Sequence, residues 1–240
     1  MSAVKEYLLN KFEFEKGNFK FAVIGHIEWM NFLKVDNLPQ PGIISHSQKS
    51  FEIPAGGGSV IAKTLNDLTY NQVHFFTSLG KDFYGKKSYE ILSQMGIKLH
   101  IAWRDKPTRK GFSLIDKKGE RSITVIGERL EPKFNDKLNW EILKDMDGIF
   151  VTAGDFNLLK AARASKVLCV TPRIGIDKII QSKIKIDSLI SSNLDPGENY
   201  NEKDLKIKPT FIIKTEGEAG GICIPGGRYK ALELKNKKID

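Results

Sequence analysis

The sequence predicts an α/β fold: a mostly parallel central sheet with helices on both faces, plus a small β lid at one edge. Three observations predict it. Short apolar runs ending in Gly, Ser or Thr alternate with segments of helical period, the pattern of buried parallel strands joined by crossover helices. Extended stretches within about 29–53 and 98–126 carry turn signals and break that alternation, as lid strands would. The 240 residues, 40% hydrophobic and 28% charged, suit one α/β domain spanning 1–240 with an ordinary core.

Taken in order, residues 1–19 read as a peripheral helical or irregular lead-in. Phe21-Ala22-Val23-Ile24-Gly25 is a short apolar run ending in glycine, the mark of a buried parallel strand. Trp29–Val35 is extended, Leu38-Pro39-Gln40-Pro41-Gly42 turns the chain, and Ser45–Ile53 returns as a strand. Gly56-Gly57-Gly58-Ser59 then leads into a helix in which Val60, Ile61, Thr64, Leu65 and Leu68 share a face, with Ser59 expected to cap it. Val73–Ser78 is a strand ending at Leu79-Gly80, and Phe83–Met95 a helix stopped by Gly96. Lys98–Trp103 is extended, and Phe112–Ile115 and Ser122–Ile126 flank the hairpin turn Asp116-Lys117-Lys118-Gly119. From Trp140 a short helix leads to strand Gly148–Ala153, helix Phe156–Ala164, strand Val167–Thr171, a helix near Ile176–Ser182 and strand Ser188–Ser191. Thr210–Lys214 is the next strand; a glycine-rich loop and a hairpin through Pro225-Gly226-Gly227 follow it.

Composition excludes several classes of partner. The net charge is +9, but lysines and acids are interspersed, as in Asp116-Lys117-Lys118-Gly119-Glu120-Arg121, and only Lys235-Asn236-Lys237-Lys238 is a cluster. That is a solvated lysine-rich surface rather than a nucleic-acid face. No apolar run approaches the ~18 residues of a membrane span, and the N-terminus mixes acids and bases without an apolar signal core, so a cytoplasmic protein is expected. Cys169 and Cys223 lie in apolar runs and read as buried thiols rather than a disulfide or metal pair. His26, His46, His74 and His100 show no ligand spacing, so no zinc site is expected.

Ligands of open α/β sheets sit beyond the carboxyl ends of the strands. Six stretches end strands with small or polar residues: Gly25-His26-Ile27-Glu28, Ala55–Ser59, Leu79–Asp82, Ala153-Gly154-Asp155, Ser191-Ser192-Asn193 and Thr215-Glu216-Gly217. Together they would line one rim. The glycine run by itself fits a plain strand-to-helix turn as well as a ligand cradle. A dinucleotide-binding fingerprint is missing, because no Gly-x-Gly-x-x-Gly follows the first strand.

From Phe21 onward the chain resembles the ribokinase-like (PfkB-type) carbohydrate kinases. The resemblance rests on the order of its motifs: the opening strand with Gly25, the Pro39-Gln40-Pro41-Gly42 turn, Gly56-Gly57 before a helix, and Gly80-Lys81-Asp82-Phe83-Tyr84-Gly85. Met95-Gly96-Ile97, the lid segment Thr108-Arg109-Lys110-Gly111, Gly119-Glu120-Arg121 and Thr215-Glu216-Gly217-Glu218-Ala219-Gly220 follow in register. It implies a ribokinase-like fold and phosphoryl transfer from ATP, with Mg²⁺, to a sugar or nucleoside hydroxyl, catalysed by positioning and charge stabilisation under a closing lid.

The resemblance also implies site residues. Gly56 and Gly57 would approach the acceptor's hydroxyls. The family's usual aspartate falls near Met30, so Glu28 or Asn31 would substitute for it; Trp29 would stack on a sugar or base, or pack in the lid. Arg109 on the lid, and Arg104, would meet an anion or stay solvated. Asn193, Thr215, Gly217 and Gly220 would form the nucleotide side. Asp195 and Glu198 are the candidates for the metal, because the family's Pro-Asn-Glu-x-Glu stretch keeps only Asn193 here.

On this resemblance Asp240 matches the first aspartate of the family's second signature. The catalytic aspartate, the glycine-rich anion hole and the C-terminal helices are then expected beyond Asp240. The chain is accordingly expected to be a C-terminally truncated member, inactive alone. The other reading is a non-catalytic sugar- or nucleoside-binding module, or one half of a split kinase completed by a C-terminal fragment. A homodimer through the lid is a further expected partner.

Overall fold

The computed structural model describes residues 19–69 and 73–232. The expected lead-in over 1–18, the basic cluster at 235–238 and Asp240 lie outside the described residues. In chain order the strands are β1 (Phe21–Ile24), β2 (Glu28–Lys34), β3 (Lys49–Ala55), β4 (Val73–Gly80), β5 (Lys98–Arg104), β6 (Lys110–Ile115), β7 (Arg121–Ile126), β8 (Gly148–Val151), β9 (Val167–Val170), β10 (Ser188–Ser192), β11 (Phe211–Thr215), β12 (Gly221–Ile224) and β13 (Gly227–Tyr229). The helices are α1 (Gly57–Leu68), α2 (Phe83–Gln94), α3 (Phe156–Ala162) and α4 (Ile176–Ser182). The expected helix after Trp140 is a 3₁₀ turn, Trp140–Asp145.

Among the described residues nine strands form the larger sheet, in the order β13-β12-β11-β10-β9-β8-β1-β4-β5. All of its pairings from β5 to β11 are parallel, and β12 and β13 add an antiparallel hairpin at the far edge. Alternating side chains of β1 show why helices cover both faces. Val23 joins Phe75, Leu79, Ala62 and Leu92 beneath α1 and α2. Ala22 and Ile24 join Phe76, Val151, Leu158, Leu168 and Ile179 beneath α3 and α4.

The second sheet is the lid, in the order β3-β2-β6-β7. The segment 98–104 is not part of it. β5 pairs parallel with β4 and packs Leu99 and Ile101 against the core, so the later lid strands begin at Lys110. No helix of the described residues is long and apolar enough to cross a membrane. Cys169 and Cys223 are free, and burial pushes the Cys169 thiol up to about 12.

The Gly80–Gly85 motif is a structural knot. Asp82 Oδ1 accepts from Gly85 N (2.8 Å), capping α2, and from Thr108 Oγ1 (2.7 Å), while its Oδ2 accepts from Thr108 N (2.7 Å). Burial would raise this carboxyl, but the bonds from Gly85 and Thr108 hold it below the ordinary range. A Cβ at Gly85 would stand 2.0 Å from the Gly80 carbonyl, so the turn needs glycine there. The knot fixes the approach of residues 104–108, and hence the point at which Arg109 enters the lid.

Nearer the amino ends of the same two strands, β4 and β5, His74 Nδ1 and His100 Nε2 lie 3.0 Å apart, with His100 stacked on Phe76. Burial, then the charges of His100, Lys98 and Lys20, push the His74 imidazole from 6.5 down to about 4. The unfolded chain therefore takes up this proton first as pH falls. Stability is fully present above about 6.5 and declines between about 6.5 and 4. Thermal melts at pH 7 and pH 5 are expected to show that fall, and His74→Leu is expected to flatten it.

Candidate active site

The rim at the carboxyl ends of the parallel strands begins where β1 hands the chain to the lid. Gly25 N donates to the Phe76 carbonyl (3.1 Å), His26 and Ile27 cross the gap, and β2 starts at Glu28. Across the gap β3 ends at Ala55, and Gly56, with φ of 89°, reverses the chain into α1. The first turn of α1 lies flat on the end of β1. A Cβ at Gly58 would come within 2.8 Å of Gly25 C and of His26 N and O, so only glycine fits. Ser59 does not cap this helix as expected. The cap residue is Gly56, without a side-chain bond, and the buried Ser59 hydroxyl donates to the Gly56 carbonyl (3.2 Å). The helix begins three residues earlier because the glycines allow it to touch the strand.

Gly56 and Gly57 border the ring of His26. Cβ atoms built on them would lie 3.2 Å from His26 Cδ2 and 3.6 Å from its Cε1. Glu28 Oε1 stands 3.4 Å from His26 Nε2 and 3.2 Å from Arg109 Nη1, both Glu28 and Arg109 being mostly buried. Trp29 N donates to the Arg109 carbonyl (2.8 Å), which anchors Arg109 at the lid base. Burial would raise the Glu28 carboxyl, but His26, then Arg109 and Arg129, bring it below its ordinary value. The group is an anionic carboxylate held by a histidine and a guanidinium. Four buried polar atoms on this rim have no hydrogen-bond partner: His26 Nδ1, Arg109 Nε, Thr152 Oγ1 and Thr171 Oγ1.

The other lid candidates do not converge here. Trp29 is fully buried. Its Nε1 donates to Glu52 (2.9 Å), Tyr84 packs on its ring at 5.5 Å between centroids, and Lys87 Nζ lies 5.3 Å over it. No ring face is left to stack on a ligand, which makes Trp29 a packing residue. Asn31 follows Trp29 on the alternate face of β2, away from Glu28 and Met30. Glu28 and Asn31 therefore cannot hold the same ligand. Met30 is buried against Gly111, where a Cβ would meet its sulfur at 2.5 Å. Arg104 is neither solvated nor free: both its terminal nitrogens donate to Asp136 (2.7 and 2.6 Å), pinning the 131–136 loop to the sheet edge.

The nucleotide-side candidates gather at the ends of β10 and β11. Asn193 N donates to the Thr215 carbonyl (2.8 Å), and its Nδ2 to Glu216 Oε1 (3.2 Å). Thr215 Oγ1 donates to the Ser191 carbonyl (3.4 Å). Gly217 (φ 58°) opens a 3₁₀ turn beside the exposed Leu194. Gly220 is required by its own hairpin, since a Cβ there would lie 2.0 Å from the Tyr229 carbonyl. Glu216 is also bound by Arg228. Asp195 and Glu198 both face Arg173, Asp195 at 2.6 Å, and Glu198 also accepts from Ser192 N (2.6 Å). Glu198 is buried in these contacts, Asp195 is 36% exposed in its side chain but shared with Arg173, and the described residues contain no group of three His, Cys, Asp or Glu able to hold a metal.

β10 and β11 lie three and four strands from β1, so the two halves of the rim are about 15–20 Å apart at ~4.8 Å per strand. The loops after β8 and β9, with Thr152 and Thr171, lie between them. A groove of about 930 Å³ lined by Tyr200, Lys208, Ile212 and Ile224 belongs to the amino end of β11, away from this rim. Sequence reasoning assigns no role to Thr152 or Arg173, and it places His26 only within the rim stretch Gly25-His26-Ile27-Glu28, directly after a strand end.

A family model described as pfkB family carbohydrate kinase matches residues 18–172. No curated protein matches the chain. Among solved structures, the chain is similar to ribokinase from Thermotoga maritima, with TM-score 0.66 and 20% identity over 93% of this chain and 80% of that one. It is similar to Arabidopsis thaliana ribokinase complexed with ribose and ATP (TM-score 0.65, 17% identity, 90% and 79% covered). It is also similar to Cryptococcus neoformans ribokinase in complex with ADP (TM-score 0.64, 18% identity, 91% and 81% covered). At these identities the structures speak for the fold, which is ribokinase-like. The match over 18–172 takes in more than half of the sequence, and the chain belongs to the pfkB family of carbohydrate kinases.

Proposed function

We propose that the protein binds a sugar or nucleoside at the lid base and a nucleotide at the β10–β11 end of the same rim, the arrangement for phosphoryl transfer from ATP to a hydroxyl. One observation carries this reading. Close-packed backbone at Gly56–Gly58, the Glu28 carboxylate and the Arg109 guanidinium meet under the lid, at the carboxyl end of the central strand. The carboxylate accepts from hydroxyls, and the free N–H groups of α1 donate to them. The register also places Phe32, Phe51, Ile123 and Val125 on the lid face of Glu28, an apolar surface suited to excluding water once the lid closes.

The nucleotide side fits a phosphate-bearing ligand in part. Thr215, the backbone of the Gly217 turn and the exposed Leu194 form an open strip, where ATP would supply the transferred phosphoryl group. A Mg²⁺ site does not fit, because Asp195 and Glu198 are held by Arg173. Three carboxylates of this rim are engaged elsewhere rather than poised as a base. Asp155 caps α3 through Asn157 N and Leu158 N (both 2.9 Å), Glu216 binds Arg228, and Glu131 binds Lys178 (3.1 Å). The same engagement supports the second reading, a binding module or one half of a split kinase.

Purified residues 1–240 are therefore expected to bind acceptor yet show no ATP-dependent phosphorylation in a coupled ADP-release assay. Turnover above the protein-free rate with D-ribose, D-fructose or adenosine would contradict this.

A further inference from the structure

Alternate side chains of β8–β12 form a largely apolar row on the α1–α2 face of the large sheet. The register aligns Phe150, Cys169, Ser188 and Phe211, and beside them Ile190, Ile213 and Cys223. Phe150, at the near end, touches the core beneath α1 and α2. Among the described residues no helix covers the rest. α1 and α2 pack on β1, β4 and β5. α3, α4, Tyr200 and Leu205 pack with Leu168, Val170 and Leu189, on the opposite face. Yet the row is shielded from water. Phe211 is 5% and Cys223 7% exposed, and burial pushes the Cys169 thiol up to about 12. The cover therefore comes from outside the described residues.

Three stretches lie there. Tyr70-Asn71-Gln72 joins α1 to β4, on the far side of β1. Glu233-Leu234-Lys235-Asn236-Lys237-Lys238-Ile239-Asp240 is mostly charged or polar. Residues 1–18 differ, because Val4, Tyr7, Leu8 and Phe12 recur at helical spacing opposite Glu6 and Glu13. They also join the sheet beside the row, since Lys20 N donates to Asp147 Oδ2 (2.8 Å) at the amino end of β8. As a helix they would reach about 27 Å, against about 24 Å for the five strand steps from β1 to β12.

We propose that residues 1–18 dock as an amphipathic helix across this row, with Val4, Tyr7, Leu8 and Phe12 against the sheet. The surface then takes a segment of its own chain. The proposal is independent of the acceptor reading.

Cys169 reports on the cover. Native 240-residue protein is alkylated with iodoacetamide at pH 8, and modification of Cys169 is followed by mass spectrometry. Leu8→Asp/Phe12→Asp is expected to react at least about tenfold faster than the parent, because an uncovered thiol regains its thiolate fraction. Glu6→Lys/Glu13→Lys, on the other side of the stripe, is expected to match the parent. Equal rates in the parent and Leu8→Asp/Phe12→Asp overturn the proposal. Protection in the parent that is lost on dilution, with a dimer dissociating in sedimentation, assigns the cover to a second copy and also overturns it. Should Leu8→Asp/Phe12→Asp fail to fold, amide hydrogen exchange of the parent decides. Slowed exchange over residues 4–12 supports docking, and exchange at the free-chain rate overturns it.

Discussion

Gly58→Ala is expected to melt about 5–10 °C below the parent and to bind acceptor at least about tenfold more weakly. The reason is geometric. The new methyl would sit 2.8 Å from Gly25 C and from His26 N and O, all of them backbone atoms. No side-chain rotation relieves that, so α1 must lift from β1. The lift removes packing of Ala62 against Val23, at about 1–3 kcal/mol for overpacking a core contact. It also moves the N–H groups of the first turn away from the Glu28 carboxylate, the opposite wall of the cradle. Gly57→Ala is the matched control. The nearest atom to its Cβ would be 3.6 Å away, an ordinary contact, and its φ is not in the left-handed region. It should melt within a few degrees of the parent, because the change in stability is under about 1 kcal/mol. A methyl there still stands where the acceptor meets the backbone. The pair therefore separates glycine needed for the fold from glycine needed for the ligand.

Glu28→Leu is expected to cost about 3 kcal/mol in urea unfolding and to abolish acceptor binding. Glu28 and Arg109 are 12% and 16% exposed in their side chains, 3.2 Å apart. Removing the carboxylate leaves a mostly buried guanidinium whose Nε already has no partner. Removing the guanidinium as well, in Glu28→Leu/Arg109→Leu, should recover a large part of that loss, because the uncompensated charge and not the missing bond dominates. Binding should stay absent in the double variant. A double variant no more stable than Glu28→Leu would show that the pair is not electrostatically coupled.

The sequence carried much of the scaffold and less of the site. Gly56–Gly58 and Gly80–Gly85 were legible because glycine at a strand-to-helix junction has few other uses, and both turned out to be points where backbone touches backbone. The helical period of α1 was visible, but its first residue was not. Ser59 resembles a cap until the contact between Gly58 and Gly25 is known, and that contact joins segments over 30 residues apart in sequence. Trp29 and Asn31 were candidates because they lie near the right strand end. Their faces depend on β2 starting at Glu28, a one-residue matter of register. Asp195 and Glu198 looked available because their partner, Arg173, sits more than 20 residues upstream at the end of another strand.

The central claim is that the Gly56–Gly58 turn and Glu28 form an acceptor site. Calorimetric titration of D-ribose, D-fructose and adenosine into the 240-residue protein and into Gly57→Ala tests it most directly. The account predicts saturable binding of at least one of the three by the parent, weakened at least about tenfold in Gly57→Ala with the melting temperature little changed. No binding by the parent, or equal binding by both proteins, would contradict it.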